Sequence, residues 1–194
     1  MNSRFLTVRE IIKLSVEFLQ GLNNIYIKRL IHFDIKPDNI LISDSGEALV
    51  SDFGLAKAMN HVGMASPDKF YTGHMPPEYF DQSQHTTLYD IYASGLTIYR
   101  MCNGNKNFDE QFELIQSDDE HEKLAKKAKF PDRKGFLPHI PKELRTAVNN
   151  ALKVDQDKRT TNALVLINEL NKINSLLDWQ YTEQGSEKYW QLTD

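Results

Sequence analysis

Two carboxylates, an ammonium and a carboxamide occupy a short stretch of this chain as Asp34, Lys36, Asn39 and Asp52. Lys36 follows Asp34 by two residues, Asn39 follows it by five, and Asp52 stands eighteen beyond it. A carboxylate at Asp34 suits taking a proton from an incoming hydroxyl, and the ammonium of Lys36 suits a phosphate oxygen. The side-chain oxygens of Asn39 and Asp52 are hard ligands of the kind that Mg²⁺ takes alongside phosphate. Phosphoryl transfer needs positioning and charge neutralisation more than covalent help, and this set can supply both.

The elements that must position these groups can be read around them. Two short apolar strands, 40–43 and 47–51, flank a turn at Asp44-Ser45-Gly46. They form a hairpin with the first three groups at its leading end and Asp52 at its trailing end. Upstream, Thr7 and Glu10 are spaced as a capping box, and Val8, Ile11, Phe18, Leu19, Leu22 and Ile25 recur at helical spacing. One long helix over 7–27 is expected, with Gly21 inside it serving close packing. Residues 52–78 lack periodicity and read as a functional loop. The stretch 88–101 is apolar nearly all round and predicts a central, buried helix.

Beyond it, 103–129 should hold one or two surface helices, with 116–122 a solvated acidic segment, and 130–141 a Pro-rich connector. Amphipathic helices are expected over 142–153 and 160–173. The tail alternates through Trp179 and Tyr181, turns at Gln184-Gly185-Ser186 and resumes through Tyr189 and Trp190, as a hairpin does. The chain thus divides into a body, 1–174, and a tail, 175–194.

The string His32-Phe33-Asp34-Ile35-Lys36-Pro37-Asp38-Asn39, followed by Asp52-Phe53-Gly54, resembles the catalytic and metal-binding loops of protein kinases. Gly21-Leu22 sits where kinases often carry Gly-Leu. Pro77-Glu78 resembles the end of the Ala-Pro-Glu motif, with Pro76 in place of Ala. Asp90 matches the aspartate that caps amides of the catalytic loop, and Arg159 the arginine that pairs with the loop-closing Glu78. The resemblance implies a mainly α fold with a small β-hairpin, the carboxyl-terminal lobe of a kinase with an appended hairpin. It implies Asp34 as base, Lys36 on the γ-phosphate, and Asn39 and Asp52 on Mg²⁺. Leu41 would join Lys36, Asn39 and Asp52 around ATP. A lysine two residues after the catalytic aspartate is the mark of Ser/Thr kinases.

Phe33 departs from the family pattern by replacing the arginine of His-Arg-Asp. A chain without that arginine should depend less on phosphorylation of its activation loop, where Ser66, Tyr71 and Thr72 are candidate sites. Thr72 could also be the family's substrate-facing threonine, and His74 reads as a packing replacement for a tyrosine. No Gly-rich phosphate loop, Val-Ala-Ile-Lys lysine or αC glutamate precedes His32. A small lobe supplied by another polypeptide or by upstream sequence is therefore expected, and an apolar face around Ile40, Leu41, Ile42 and Phe53 should await it.

With 194 residues the chain can bury a core, and a net charge of −4 without a basic run gives no footing for nucleic acid. A lone cysteine, Cys102, fits a reducing, cytoplasmic setting, and no apolar run is long enough to span a membrane. The expected activity is transfer of the ATP γ-phosphoryl group to Ser or Thr of a protein. The competing readings are a catalytically silent lobe mimic that acts on another kinase, and a regulatory half of a two-gene kinase module.

Overall fold

A computed structural model describes residues 3–67, 72–185 and 187–192. Helix α1 (Val8–Ile27) opens on the expected capping box. The Thr7 hydroxyl accepts the Glu10 N–H at 3.2 Å, and the Glu10 carboxylate accepts the Thr7 N–H at 2.8 Å. Its apolar residues fall on one face and are buried, from Val8 through Phe18 to Ile25. Strands β3 (Ile40–Ile42) and β4 (Ala48–Val50) lie across this helix as an antiparallel pair, with Leu41 opposite Leu49. Glu17 of α1 accepts the Ala48 N–H at 2.9 Å, which fixes the hairpin to the helix. The strands are shorter than their apolar runs suggest. Ser43 and Glu47 are held in turn bonds, and the Ser51 N–H reaches across to the Asn39 carbonyl.

Helix α2 (Leu88–Asn103) is buried along nearly its whole length, as a helix apolar all round must be. It packs against α1 and against α5 (Lys142–Ala151), whose Leu144, Ala147 and Val148 join the same core. Helix α6 (Ala163–Leu170) closes that core against α1. It starts three residues later than the apolar pattern suggests because Asn162 caps it, accepting the Val165 N–H at 2.9 Å. Helices α3 (Asn105–Glu113) and α4 (Asp118–Lys126) cover one side. The acidic stretch is exposed over 116–120, as expected, and starts α4: Ser117 caps it, and Asp118, Asp119 and Glu120 sit at the positive end of its dipole.

The tail folds into β6 (Trp179–Gln184) and β7 (Glu187–Leu192), the hairpin its alternation predicts. What local alternation does not reveal is its third strand. Strand β1 (Ser3–Arg4) pairs antiparallel with β6, giving the order β1-β6-β7. The two ends of the chain thus share one sheet, braced by Arg9 on Asp178. Tyr181 is fully buried there, between Phe5, His139 and Trp190. Among the described residues no helix is long and apolar enough to cross a membrane.

Candidate active site

The stretch from His32 to Asn39 begins where β2 (Leu30–Ile31) ends. Strand β5 (Lys57–Ala58) pairs with β2 and folds the chain after Asp52-Phe53-Gly54 back beside His32. Asp90, buried in the first turn of α2, accepts the His32 N–H and the Phe33 N–H, both at 2.8 Å. Burial pushes its carboxyl pKa up, opposed by His32 and by the two backbone N–H groups. Two charge-assisted bonds from one carboxylate hold the loop while Phe33 adopts φ 65°, a left-handed conformation that a bulky side chain avoids.

The ring of Phe33 fills a pocket of aromatics, edge-on to Tyr89 at 5.0 Å and to His85 at 6.3 Å. Ile31 and Ala65 complete that small second core. The place of an arginine is thus taken by packed rings. Ser66 is exposed beside it, Tyr71 lies outside the described residues, and so does the Thr72 side chain.

Three of the four chemical groups meet directly. Lys36 Nζ donates to Asp34 Oδ2 at 3.0 Å, and Asn39 Nδ2 donates to the same oxygen at 2.7 Å. The same Nδ2 also reaches the Asp34 carbonyl at 2.8 Å. With its amide nitrogen committed to Asp34, Asn39 presents its oxygen to the other side. Asp34 is 7% exposed, so its carboxylate is oriented yet reachable.

Asp52 is carried in by backbone. Ser51 donates N–H and Oγ–H to the Asn39 carbonyl at 2.9 and 3.0 Å. His32 Nε2 donates to the Ser51 carbonyl at 3.1 Å, because its Nδ1 accepts the Asp34 N–H. The residue after this clamp is Asp52, in the left-handed conformation at φ 57°. Its Oδ1 accepts the Gly54 N–H at 3.1 Å, and the side chain is exposed.

Leu41, Ile42, Leu49 and Phe53 are all more than half exposed. Ile40, expected among them, is instead buried at 9% and joins the core that holds α1, while Ile42, two residues on, stays exposed. Phe53 leans edge-on to His32 at 5.3 Å. Behind the hairpin, a groove of about 520 Å³ runs between α1 and β4 and is lined by Gly21, Ile25, Leu49, Val50 and Phe53 among others.

Two supporting features lie farther out. Arg159 forks onto Glu78 at 2.6 and 2.7 Å, and its other donors reach the Leu88 and Lys153 carbonyls at 2.9 Å. This is the pair expected from the resemblance. His74 is buried and donates Nδ1–H to the Ile35 carbonyl at 2.9 Å, while Nε2 accepts from Arg100 at 3.2 Å. Burial, then the Arg100 guanidinium, push the His74 pKa down to about 3. Sequence reasoning passed over Arg100; the signal was a second charge, besides Asp90, on a helix otherwise largely apolar.

The model of the protein kinase domain matches residues 1–173. The chain belongs to the protein kinase family. Among kinases, the probable serine/threonine-protein kinase pknA2 of Bifidobacterium longum is 28% identical over 186 residues, covering 90% of this chain and 23% of its own length. The probable serine/threonine-protein kinase PknB of Lactococcus lactis is 27% identical over 184 residues, 92% of this chain and 27% of its own. Mouse cyclin-dependent kinase 14 is 27% identical over 195 residues, 92% of this chain and 41% of its own. The chain spans about a quarter of the length of the two bacterial kinases it matches.

Kinases as a family use ATP and Mg²⁺, and the donor set here suits that pair. Among the described residues no three His, Cys, Asp or Glu side chains gather to hold a metal by themselves. One carboxylate and one carboxamide oxygen make an incomplete shell, of the kind Mg²⁺ fills with phosphate oxygens and water.

Proposed function

We propose that this chain carries the catalytic half of a protein serine/threonine kinase, transferring the ATP γ-phosphoryl group to a Ser or Thr hydroxyl of a protein. The observation that carries the reading is the Asp34 carboxylate bonded to both Lys36 and Asn39 on a loop capped by Asp90. Asp34 takes the hydroxyl proton and aligns the nucleophile. Lys36 moves from Asp34 to the γ-phosphate as the substrate binds. Asn39 and Asp52 hold Mg²⁺, which when bound neutralises the triphosphate, and Leu41 forms an apolar floor beneath the nucleotide. A small lobe, from another polypeptide or from upstream sequence, covers Leu41, Ile42, Leu49 and Phe53 and excludes water.

The test joins this chain to a candidate small lobe and follows phosphate transfer from ATP–Mg²⁺ to a protein substrate. Asp34→Asn should lower the rate by about 10²-fold or more, the usual contribution of a general base, and Asp52→Ala should abolish it. No transfer from any pairing, or transfer indifferent to Asp34→Asn, overturns the proposal.

The exposed apolar hairpin also supports a second reading, a silent lobe mimic that docks onto another kinase. Its effect on that kinase would persist in the Asp34→Asn, Asp52→Ala double variant, and an enzyme's would not.

A further inference from the structure

A pocket of about 250 Å³ opens beside the catalytic loop, at Pro37, one residue beyond Lys36. Arg4, Arg100, Gly104 and Asn105 line it with Phe5, and no acidic residue contributes to its lining. Arg4 comes from the strand that joins the tail sheet, and Arg100 from the last turns of α2. The two residues come to one pocket only in the folded chain.

Neither guanidinium is exhausted. Arg100 uses three of its N–H donors, on Asn105 at 2.9 Å, His74 at 3.2 Å and Asp109 at 3.5 Å. His74 is held neutral and cannot offset the charge, and Asp109 is half exposed at the limit of hydrogen-bond reach. Arg4 donates Nε to Gln180 at 3.0 Å and Nη2 to Glu10 at 2.6 Å, and among the described residues Nη1 has no bond. Glu10 is committed in turn to the Thr7 N–H. The nearby N-terminus of α3 has no side-chain cap and no acidic residue in its first turn, and adds positive potential. Lys36 and Lys106 are further cations on flanking segments, and Asp38 is the one carboxylate next to Pro37 in the chain.

We propose that this arginine pocket binds a carboxylate side chain of the protein substrate, so that the enzyme selects acceptor sites with a Glu or Asp close by. The assignment rests on the kinase reading. Three peptide units separate Asp34 from Pro37, at most about 11 Å between Cα atoms. An extended substrate rises about 3.3 Å per residue, so the acidic residue lies within about four positions of the phosphoacceptor.

The test measures binding of fluorescent serine peptides to the full chain by anisotropy, without ATP, comparing Glu with Gln at each position from −4 to +4. One Glu position should bind about tenfold tighter than its Gln partner at low salt, as charge-assisted bonds do, with the difference shrinking as salt rises. Arg4→Gln, which alters an exposed side chain, should remove most of that difference, and so should Arg100→Met in protein whose Tm shows it folded. Equal binding of every Glu and Gln pair overturns the proposal. A phosphoserine peptide that binds where Glu peptides do not also overturns it, by assigning the pocket to a phosphate. Peptide preference with no phosphate transfer from any assembly would sink the kinase reading and leave the pocket standing. Transfer without any acidic preference would do the reverse.

Discussion

At the residue scale, Asp90 decides whether Asp34, Lys36 and Asn39 meet on their loop. It touches none of them, yet without it two buried N–H groups lose their acceptor and Phe33 loses the reason to stay at φ 65°. Asp90→Ala should lower stability by about 3–5 kcal/mol, from two bonds to a charged group. Chemical denaturation reads that loss, and activity should fall beyond what the folded fraction explains. The Glu78–Arg159 fork is a second such case. Arg159→Met alone leaves a buried carboxylate and should cost about 3–5 kcal/mol, whereas Glu78→Leu with Arg159→Met should recover much of it. A double-mutant cycle by thermal unfolding measures the difference.

His74 adds a pH dependence. Its folded pKa near 3 lies below the ordinary 6.5, so between those values the unfolded chain binds a proton that the folded chain refuses. Stability is therefore full above about pH 6.5 and falls as the pH drops through that window, by at most about 1.4 kcal/mol per unit for one proton. Burial lowers the pKa of His85, His121 and His139 too, and they act in the same direction. The Tm of His74→Gln should fall less steeply between pH 6.5 and 4 than that of the parent chain.

At the element scale, two helical glycines that look alike in sequence differ in what surrounds them. A Cβ at Gly95 would stand 3.0 Å from both Ala151 Cβ and Leu152 Cδ2, where α2 crosses α5. A Cβ at Gly21 would meet Val50 Cγ2 at 3.4 Å, a near-ordinary contact. Close packing, expected at Gly21, is thus mild there and tight at Gly95. Gly21→Ala should be neutral or raise stability by up to about 1 kcal/mol through helix propensity. Gly95→Ala should destabilise, because two packed side chains must yield. Urea midpoints of the two variants should move in opposite directions or only Gly95 should fall.

The same scale shows how much could be read locally. The capping box of α1 follows from a spacing of three, the hairpin around Gly46 from two apolar runs about a turn, and the buried α2 from all-round apolarity. The pairings of β2 with β5 and of β1 with β6 do not, since two-residue strands carry no period and their partners lie far along the chain.

At the scale of the whole molecule, one core runs through α1, α2, α5 and α6, and the tail sheet ties both chain ends to it. Tyr181 is the anchor of that sheet, and Tyr181→Ala should cost about 3–5 kcal/mol, the penalty for emptying a buried aromatic site. Arg4 should then lose its place beside Pro37, so acidic-peptide binding should weaken together with Tm. The exposed side of the β3–β4 hairpin remains the face on which a small lobe is proposed to sit.

The identities and order of Asp34, Lys36, Asn39 and Asp52, and the family they mark, were legible in sequence alone, because the proposed roles each demand their own side chain at a narrow spacing. Which oxygen of Asp34 faces Lys36 and Asn39, why Ile40 is buried while Leu41 is bare, and that Arg4 and Arg100 line one pocket beside Pro37 were decided only by tertiary structure. Those outcomes depend on packing between segments up to a whole chain apart, and no local period encodes them.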